Sequence, residues 1–430
     1  MHPTAIRLLT APVPSKPTPP SPHRQAGTTP DVDEAARFFL LLAECLHVFG
    51  MGAHNVERVL SRVAAALGVE GQFLVTPTFV IFTVGPVGGS RTHMSRVHGQ
   101  ELDLDRLTRL HRIVQRIVEG SLTSEQARTR LEALRRPRRP WRAAPAALAH
   151  ALSASGAAVI LQGGWPEVLA AGGLGVILGV LLHYAETRPN VQSIMPLMAG
   201  LVSAAMVGLT AAWLHPVVPY IPTLAAIVTL LPGMTLTVAI NEVAHGHTVS
   251  GGARLTGVMM TLLQLGFGVA LGKQVALTLV GATPTVHPEA LPGWLLVGAA
   301  GVVVATFALR NRARKEDFPL LLLTAGVGLA ASRLGTHFLG TELGVLAAAW
   351  AIGTTANAVS RWWNVPAATA MLPALLLLVP GSLGFGSVSS LLDQDVVVGL
   401  QAAFSMVVVA LSLVTGLLLA SLTTRPGDLF

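Results

Sequence analysis

Residues 217–236 read VVPYIPTLAAIVTLLPGMTL, and residues 364–383 read NVPAATAMLPALLLLVPGSL. Each stretch opens on Val-Pro, stays apolar through its middle and breaks at Pro-Gly. Pro232-Gly233 and Pro380-Gly381 stand 148 positions apart. Inside a helix, proline removes a backbone donor and glycine weakens propensity, so each stretch is expected to be a broken helix. In hydrocarbon the freed carbonyls can be satisfied only by protein, water or ligand. Broken helices at matching places in two halves of a chain point to a binding site between the halves. A plain kink is the alternative reading.

Working outward from these stretches, the sequence from residue 143 is a series of apolar runs, each near the ~20 residues that span hydrocarbon. The first five cover about 144–162, 165–184, 190–214, 217–240 and 252–281. The second five cover about 291–309, 318–338, 341–360, 365–384 and 395–422. The 148-residue offset carries the first run onto the sixth and the third onto the eighth. Five is odd, so the two halves would enter the membrane from opposite sides, as in inverted-repeat carriers. Alternate connections hold Arg188, Arg254, the cluster Arg310, Arg312, Arg314 and Lys315, then Arg361 and Arg425, whereas the other five hold no Lys or Arg. This segregation predicts a multi-pass protein of the cytoplasmic (inner) membrane with both termini in the cytoplasm. Trp165, Trp213, Trp294 and the Trp362–Trp363 pair sit at the edges of the runs, as interfacial anchors do.

Composition agrees. Only 12% of the 430 residues are charged, about half the usual share of a soluble protein. Residues 1–142 hold 19 Lys/Arg and 12 Asp/Glu, while the remaining 288 hold ten of each. The whole net charge of +7 therefore belongs to the front. An ordinary soluble enzyme, a disordered chain and a nucleic-acid binder are all excluded. The expected fold is an α-helical polytopic membrane protein of about ten transmembrane helices, two inverted five-helix repeats, preceded by a small α/β cytoplasmic domain. The chain divides into a Pro-rich disordered tail (1–30), an α/β domain with a basic linker (31–142), and two membrane repeats (143–282 and 283–425). The tail lacks the apolar core of a signal peptide.

Within the front domain, Asp31 and Asp33 can cap a helix through residues 35–49, and a second helix runs from about Asn55 to Leu67, ended by Gly68. Residues 72–77, 78–84 and 90–97 read as strands. Two amphipathic helices follow, the second capped by Thr123 with Gln126 three residues on. The run Arg135, Arg136, Arg138, Arg139 and Arg142 beside the first membrane helix reads as a topology signal. Cys45, the single cysteine, reads as a buried core thiol.

Three polar features could carry transport. After the first break come Asn241, Glu242, His245, His247, Ser250, Gly251 and Arg254. Glu242 and Arg254 could form a gate pair or hold the charged ends of an amino acid; a loop with a topology-setting arginine is the alternative. His245 and His247 have no third ligand near in sequence, so no metal is expected. Arg333 falls inside the seventh run, where a charge usually faces the bundle interior or water; a snorkelling side chain is the alternative, disfavoured by the mid-span position. Thr354, Thr355 and Asn357 in the eighth run could bind substrate or tie helices together. The expected site is therefore Pro232, Gly233, Asn241, Glu242, His247, Ser250, Arg254, Arg333, Thr354, Asn357, Pro380 and Gly381. Lys273 reads as a snorkelling side chain. No HExxH, GxSxG or Walker A pattern occurs, so neither an enzyme nor a cofactor is expected, and energy would come from an ion or substrate gradient.

In the front domain, Gly50, Gly52, Val56-Glu57-Arg58, the Ala-Leu-Gly at 66–68 and Thr76-Pro77 form one pattern. In the membrane part it is Leu231-Pro232-Gly233, Gly246-His247, Ser250-Gly251 with Arg254, Val365-Pro366 and Val379-Pro380-Gly381. Together these resemble the threonine/serine exporter family in its fused form, over about residues 35–422. Glu242 stands where the family pattern has Asp, and His245 where a small residue is usual. The resemblance implies proton-driven efflux of threonine and serine, and some split relatives are linked to succinate export; alternating access would move the two repeats around the paired breaks. The partners so implied are a small amino acid or dicarboxylate, a proton and the lipid bilayer, with homo-oligomerisation left open and no nucleic acid. A membrane-anchored hydrolase using His54, Glu57, His93 and His98, or a sensor, is the rival from another class.

Overall fold

The computed structural model describes residues 32–86, 89–97, 102–136, 138, 141–186, 188–281, 287–289, 291–363, 365–378 and 381–424. The expected tail at 1–30, His98, Arg139, Pro380 and Arg425 lie outside those residues.

The front domain packs four helices around a three-stranded antiparallel sheet. Helices α1 (Val32–Val48) and α2 (Ala53–Leu67) precede strands β1 (Gly71–Val75), β2 (Phe79–Val84) and β3 (Arg91–Arg96); α3 (Leu104–Val118) and α4 (Ser124–Arg135) follow. The sheet order is β1-β2-β3, with Gly71 opposite Val84 and Phe79 opposite Arg96. Val80, Phe82 and Val84 alternate inward along β2 and meet Phe38, Phe39, Leu42 and Leu46 of α1. Gly68 closes α2 in the left-handed conformation (φ 69°), which glycine adopts without a Cβ penalty. Thr123 caps α4 by accepting from the Gln126 amide, as its spacing predicts. Cys45 is buried, and burial pushes its thiol pKa up to about 12, which leaves it unreactive.

The rest is helical: α5 (Ala143–Ile160), α6 (Trp165–Glu186), α7 (Pro189–Gln192), α8 (Met195–Trp213), α9 (Tyr220–Ile227), α10 (Gly233–Ala244), α11 (Thr248–Val280), α12 (Trp294–Arg310), α13 (Phe318–Leu339), α14 (Thr341–Trp363), α15 (Ala367–Leu376), α16 (Gly381–Leu392) and α17 (Val396–Thr423). Among the described residues, eight segments are long and apolar enough to cross a membrane, and nine if the bent pair Tyr220–Leu230 and Gly233–Ala244 counts as one. The sequence led us to expect about ten. The shortfall lies in two places. The fourth run breaks at Leu231-Pro232 with a bend of 54°. The sixth run yields α12, 17 residues, or about 25 Å of helix against a core of ~30 Å.

Small residues bring the long helices together. A Cβ on Gly268 of α11 would collide with the Leu197 carbonyl and Leu201 amide of α8. A Cβ on Gly416 of α17 would collide with the Leu346 carbonyl and Trp350 amide of α14. Close backbone approach of this kind replaces the hydrophobic driving force that lipid removes. The five expected tryptophan anchors are exposed and sit at helix ends.

Candidate functional site

The segments that follow the two expected breaks meet; in the second run, residues 379–380 lie outside the described ones. Gly233 opens α10 and Gly381 opens α16; a Cβ on Gly381 would stand 3.0 Å from Leu231 Cβ and 3.5 Å from the Gly233 backbone. The sequence alone could pair these positions but not bring them into contact. Pro232 precedes α10 at its first turn, and the Leu231 amide donates to the Val228 carbonyl at 3.3 Å, so part of the loosened backbone is satisfied locally.

Further along α10 the polar run forms a second assembly. Glu242 is fully buried. Arg254 Nε donates to its Oε2 at 3.0 Å, and its Oε1 accepts from the Ala53 amide of the front domain at 3.0 Å. Ala53 is the first residue of α2, whose N-cap Gly52 has no side chain to offer. A carboxylate from the membrane part thus serves the exposed amides and positive dipole end of a domain helix. Around this contact, Ser250 Oγ donates to the Val75 carbonyl, Asn241 Nδ2 donates to His54 Nε2, and His247 lies 3.6 Å from Glu57. His54 stacks on His245 with ring centroids 5.3 Å apart. Burial, then the neighbouring Arg58, His245, His247 and Arg254, push the His54 pKa down to about 4, so it sits here neutral. Burial and Arg254 lower His47 as well.

So Asn241, Glu242, His247, Ser250 and Arg254 come together, and what they hold is the front domain. The other expected residues are elsewhere. Thr354 Oγ1 is bonded back to the Trp350 carbonyl of its own helix. Asn357 Nδ2 donates to the Thr424 carbonyl beyond the end of α17, which makes it a helix tie. Arg333, expected to face the interior or water, is exposed on α13 and so not in the interior. The buried stripe of that helix runs through Leu320, Leu321, Thr324, Ala325, Gly328 and Gly335, and position 333 falls off it. Lys273 does more than snorkel: its Nζ pairs with Asp393 at 2.7 Å, an exposed tie between α11 and the turn after α16.

A cavity of about 590 Å³ that no sequence motif marks lies between the front domain and helices α5, α6 and α12. Asp103, Arg138, His150, Glu186 and Arg310 are in its lining. Arg310 counted only as a topology signal. His150, an ionisable residue inside an apolar run, was the signal that could have found the site.

A helical membrane part with a docked α/β domain defines a polytopic membrane protein. Comparison with known proteins gives the family. Residues 37–276 match a family model described as "Putative threonine/serine exporter", and residues 297–423 match a second one, described as "Threonine/Serine exporter, ThrE". The chain belongs to the threonine/serine exporter family, and both halves of the family pattern lie in one chain. It is similar to pheromone-regulated membrane protein 10 of Debaryomyces hansenii, 25% identical over 391 residues, which cover 84% of this chain and 37% of the relative. The protein of that name in Candida albicans is 25% identical over 377 residues (84% and 34%). That in Eremothecium gossypii is 25% identical over 385 residues (88% and 51%). The chain thus spans about a third to a half of the length of these relatives. No solved structure matches it.

Proposed function

We propose that this protein is a secondary active exporter of small hydrophilic metabolites across the cytoplasmic membrane, threonine and serine first and a dicarboxylate such as succinate second. The single observation that carries the reading is the contact between Gly381 and Leu231–Gly233, which brings the two Pro-Gly runs together. Alternating access then moves two five-helix units, residues 143–282 and 283–425, around the paired breaks, with Pro232, Gly233, Pro380 and Gly381 as the moving backbone.

Several equivalences support the inverted-repeat part of the reading. Gly268 on α11 and Gly416 on α17 are 148 positions apart and make the same close approach to α8 and α14. Gly251 packs on Val243, and Gly399 packs on Leu391, again 148 apart. The left-handed residues Gly246 and Gln394 share that offset. Across the halves, α11 packs on α16 while α17 packs on α10, the reciprocity a twofold relation requires.

In this reading the domain at 31–142 is cytoplasmic, both termini are cytoplasmic, and the domain's grip on Glu242 and Arg254 controls the α10–α11 side of the breaks. Proton coupling enters through Glu242 and its neighbouring histidines. A homo-oligomer is compatible with the exposed apolar flanks.

The test is efflux of threonine, serine and succinate from preloaded vesicles with and without a proton gradient. Movement of none of them by correctly inserted protein ends the transporter reading. Loss of efflux in Pro232→Ala and Pro380→Ala at unchanged insertion supports the paired breaks as its moving part.

A further inference from the structure

The cavity beside α5 and α12 carries chemistry that the contacting breaks do not. Its volume, about 590 Å³, falls in the range of small-molecule clefts. Arg310 Nη1 donates to His150 Nδ1 at 3.1 Å. Arginine has no lone pair to offer, so Nδ1 is the acceptor and the proton of this imidazole sits on Nε2. That Nε2 donates to the Ala226 carbonyl of α9 at 3.2 Å. His150 is buried and neutral in this bonding state, so it aims the guanidinium without cancelling its charge. Among the described residues no carboxylate comes within ion-pair distance of Arg310; Glu186, in the same lining, attracts it from farther away. Of the other charges there, Arg138 pairs with Asp103 and Asp105, Arg312 shares the lining, and Glu186 lies 3.6 Å from His183, close enough to a cargo ammonium to receive it. The lining also joins the two halves, since His150 is on α5 and Arg310 on α12.

We infer that this cavity is the cargo-loading site on the domain side, where Arg310, aimed by His150, receives the carboxylate of a small amino acid and Glu186 faces its ammonium group. A guanidinium fork matches a carboxylate and loses little freedom in binding it. Glu186 repels the second carboxylate of a dicarboxylic acid, which sets the preference for the amino acid. Loading also reaches the break mechanically, because His150 holds Ala226 and approaches Thr229, just ahead of Leu231-Pro232. This inference rests on the exporter reading.

The test uses the full chain with Ala146→Cys, a cavity-lining position, as its reporter; the native Cys45 is buried and contributes little background. Maleimide labelling of Ala146→Cys in membrane vesicles should be slowed by threonine or serine and less by succinate. Adding Arg310→Gln should raise the concentration needed for protection roughly 10- to 100-fold, the loss expected for a charge-assisted pair. Arg310→Lys should fall between, and His150→Gln, which keeps Arg310, should weaken protection less than Arg310→Gln; these two keep the test alive if Arg310→Gln misfolds. Glu186→Gln should bring succinate protection up to that of threonine. Equal protection with and without Arg310 overturns the inference. So does efflux that persists while no solute protects, which leaves the exporter reading standing. Protection by phosphatidylglycerol in the vesicle, but by none of the solutes, assigns the site to a lipid headgroup and also overturns it. Protection without efflux of any solute keeps the site and removes the exporter reading.

Discussion

The two Pro-Gly runs share a scaffold and differ in what they carry. Gly233 and Gly381 each open the second segment, and Gly251 and Gly399 each press the following long helix onto it. Beyond the first break lies a fully buried carboxylate, Glu242, bonded to Arg254 and to the front domain. Beyond the second lies an exposed pair, Lys273 with Asp393, and the segment between is apolar with serines. Close packing repeats because backbone geometry demands small residues at the same crossings. The charges do not repeat because only one end of one half has a domain to hold.

That contrast sets the scale of the expected effects. Removing one partner of the buried pair leaves an uncompensated charge without water, so Arg254→Ala should cost about 3–5 kcal/mol and release the domain. Rapid cleavage of the α/β domain from otherwise intact protein in limited proteolysis would register it; unchanged cleavage would show that the junction is not held by this pair. Glu242→Gln keeps an acceptor for the Ala53 amide and should cost less than Glu242→Ala by the same assay.

The glycine crossings sharpen the other half of the comparison. Gly268→Leu and Gly416→Leu must each push two helices apart, and each should cost about 1–3 kcal/mol or more, by similar amounts. Thermal unfolding in detergent compares them, and a large effect at one with none at the other would break the equivalence of the two halves.

A smaller effect is a pH response of the junction. The His54 pKa is about 4 in the docked protein and near 6.5 when exposed, so the exposed form binds more protons between those values. The contribution of the neutral ring is complete above 6.5 and is lost as the pH falls from 6.5 toward 4. Domain protection from protease should decline over that window, by at most about 3 kcal/mol, and His54→Gln should flatten the decline. Burial and Arg254 depress His47 too, and it adds to the response in the same direction. Smallest of all is Lys273→Ala. An exposed pair is worth about 0–1 kcal/mol, so unfolding should barely move; a large shift would mean that the outer tie governs how the halves meet.

Much of this was legible in the residues. Apolar length and Pro-Gly punctuation are local properties, so the membrane segments, the break in α9–α10 and the strands and helices of the front domain follow from the sequence. The segregation of Arg and Lys and the family pattern come from the chain order itself. The sequence could not assign burial around a helix axis in a chain apolar on nearly every face, and so it left open whether Arg333 faced the interior or water and whether Asn357 bound substrate or tied helices. Nor could it foresee partners far apart in the chain: Glu242 with the amide of Ala53, or His150 between Arg310 and Ala226. Composition and spacing determined which segments could enter a membrane and where they must break, since backbone hydrogen bonding and hydrophobic length are short-range demands. Which polar groups would face one another was decided only by the tertiary structure, because a buried charge takes its meaning from whatever the fold brings within about 3 Å of it.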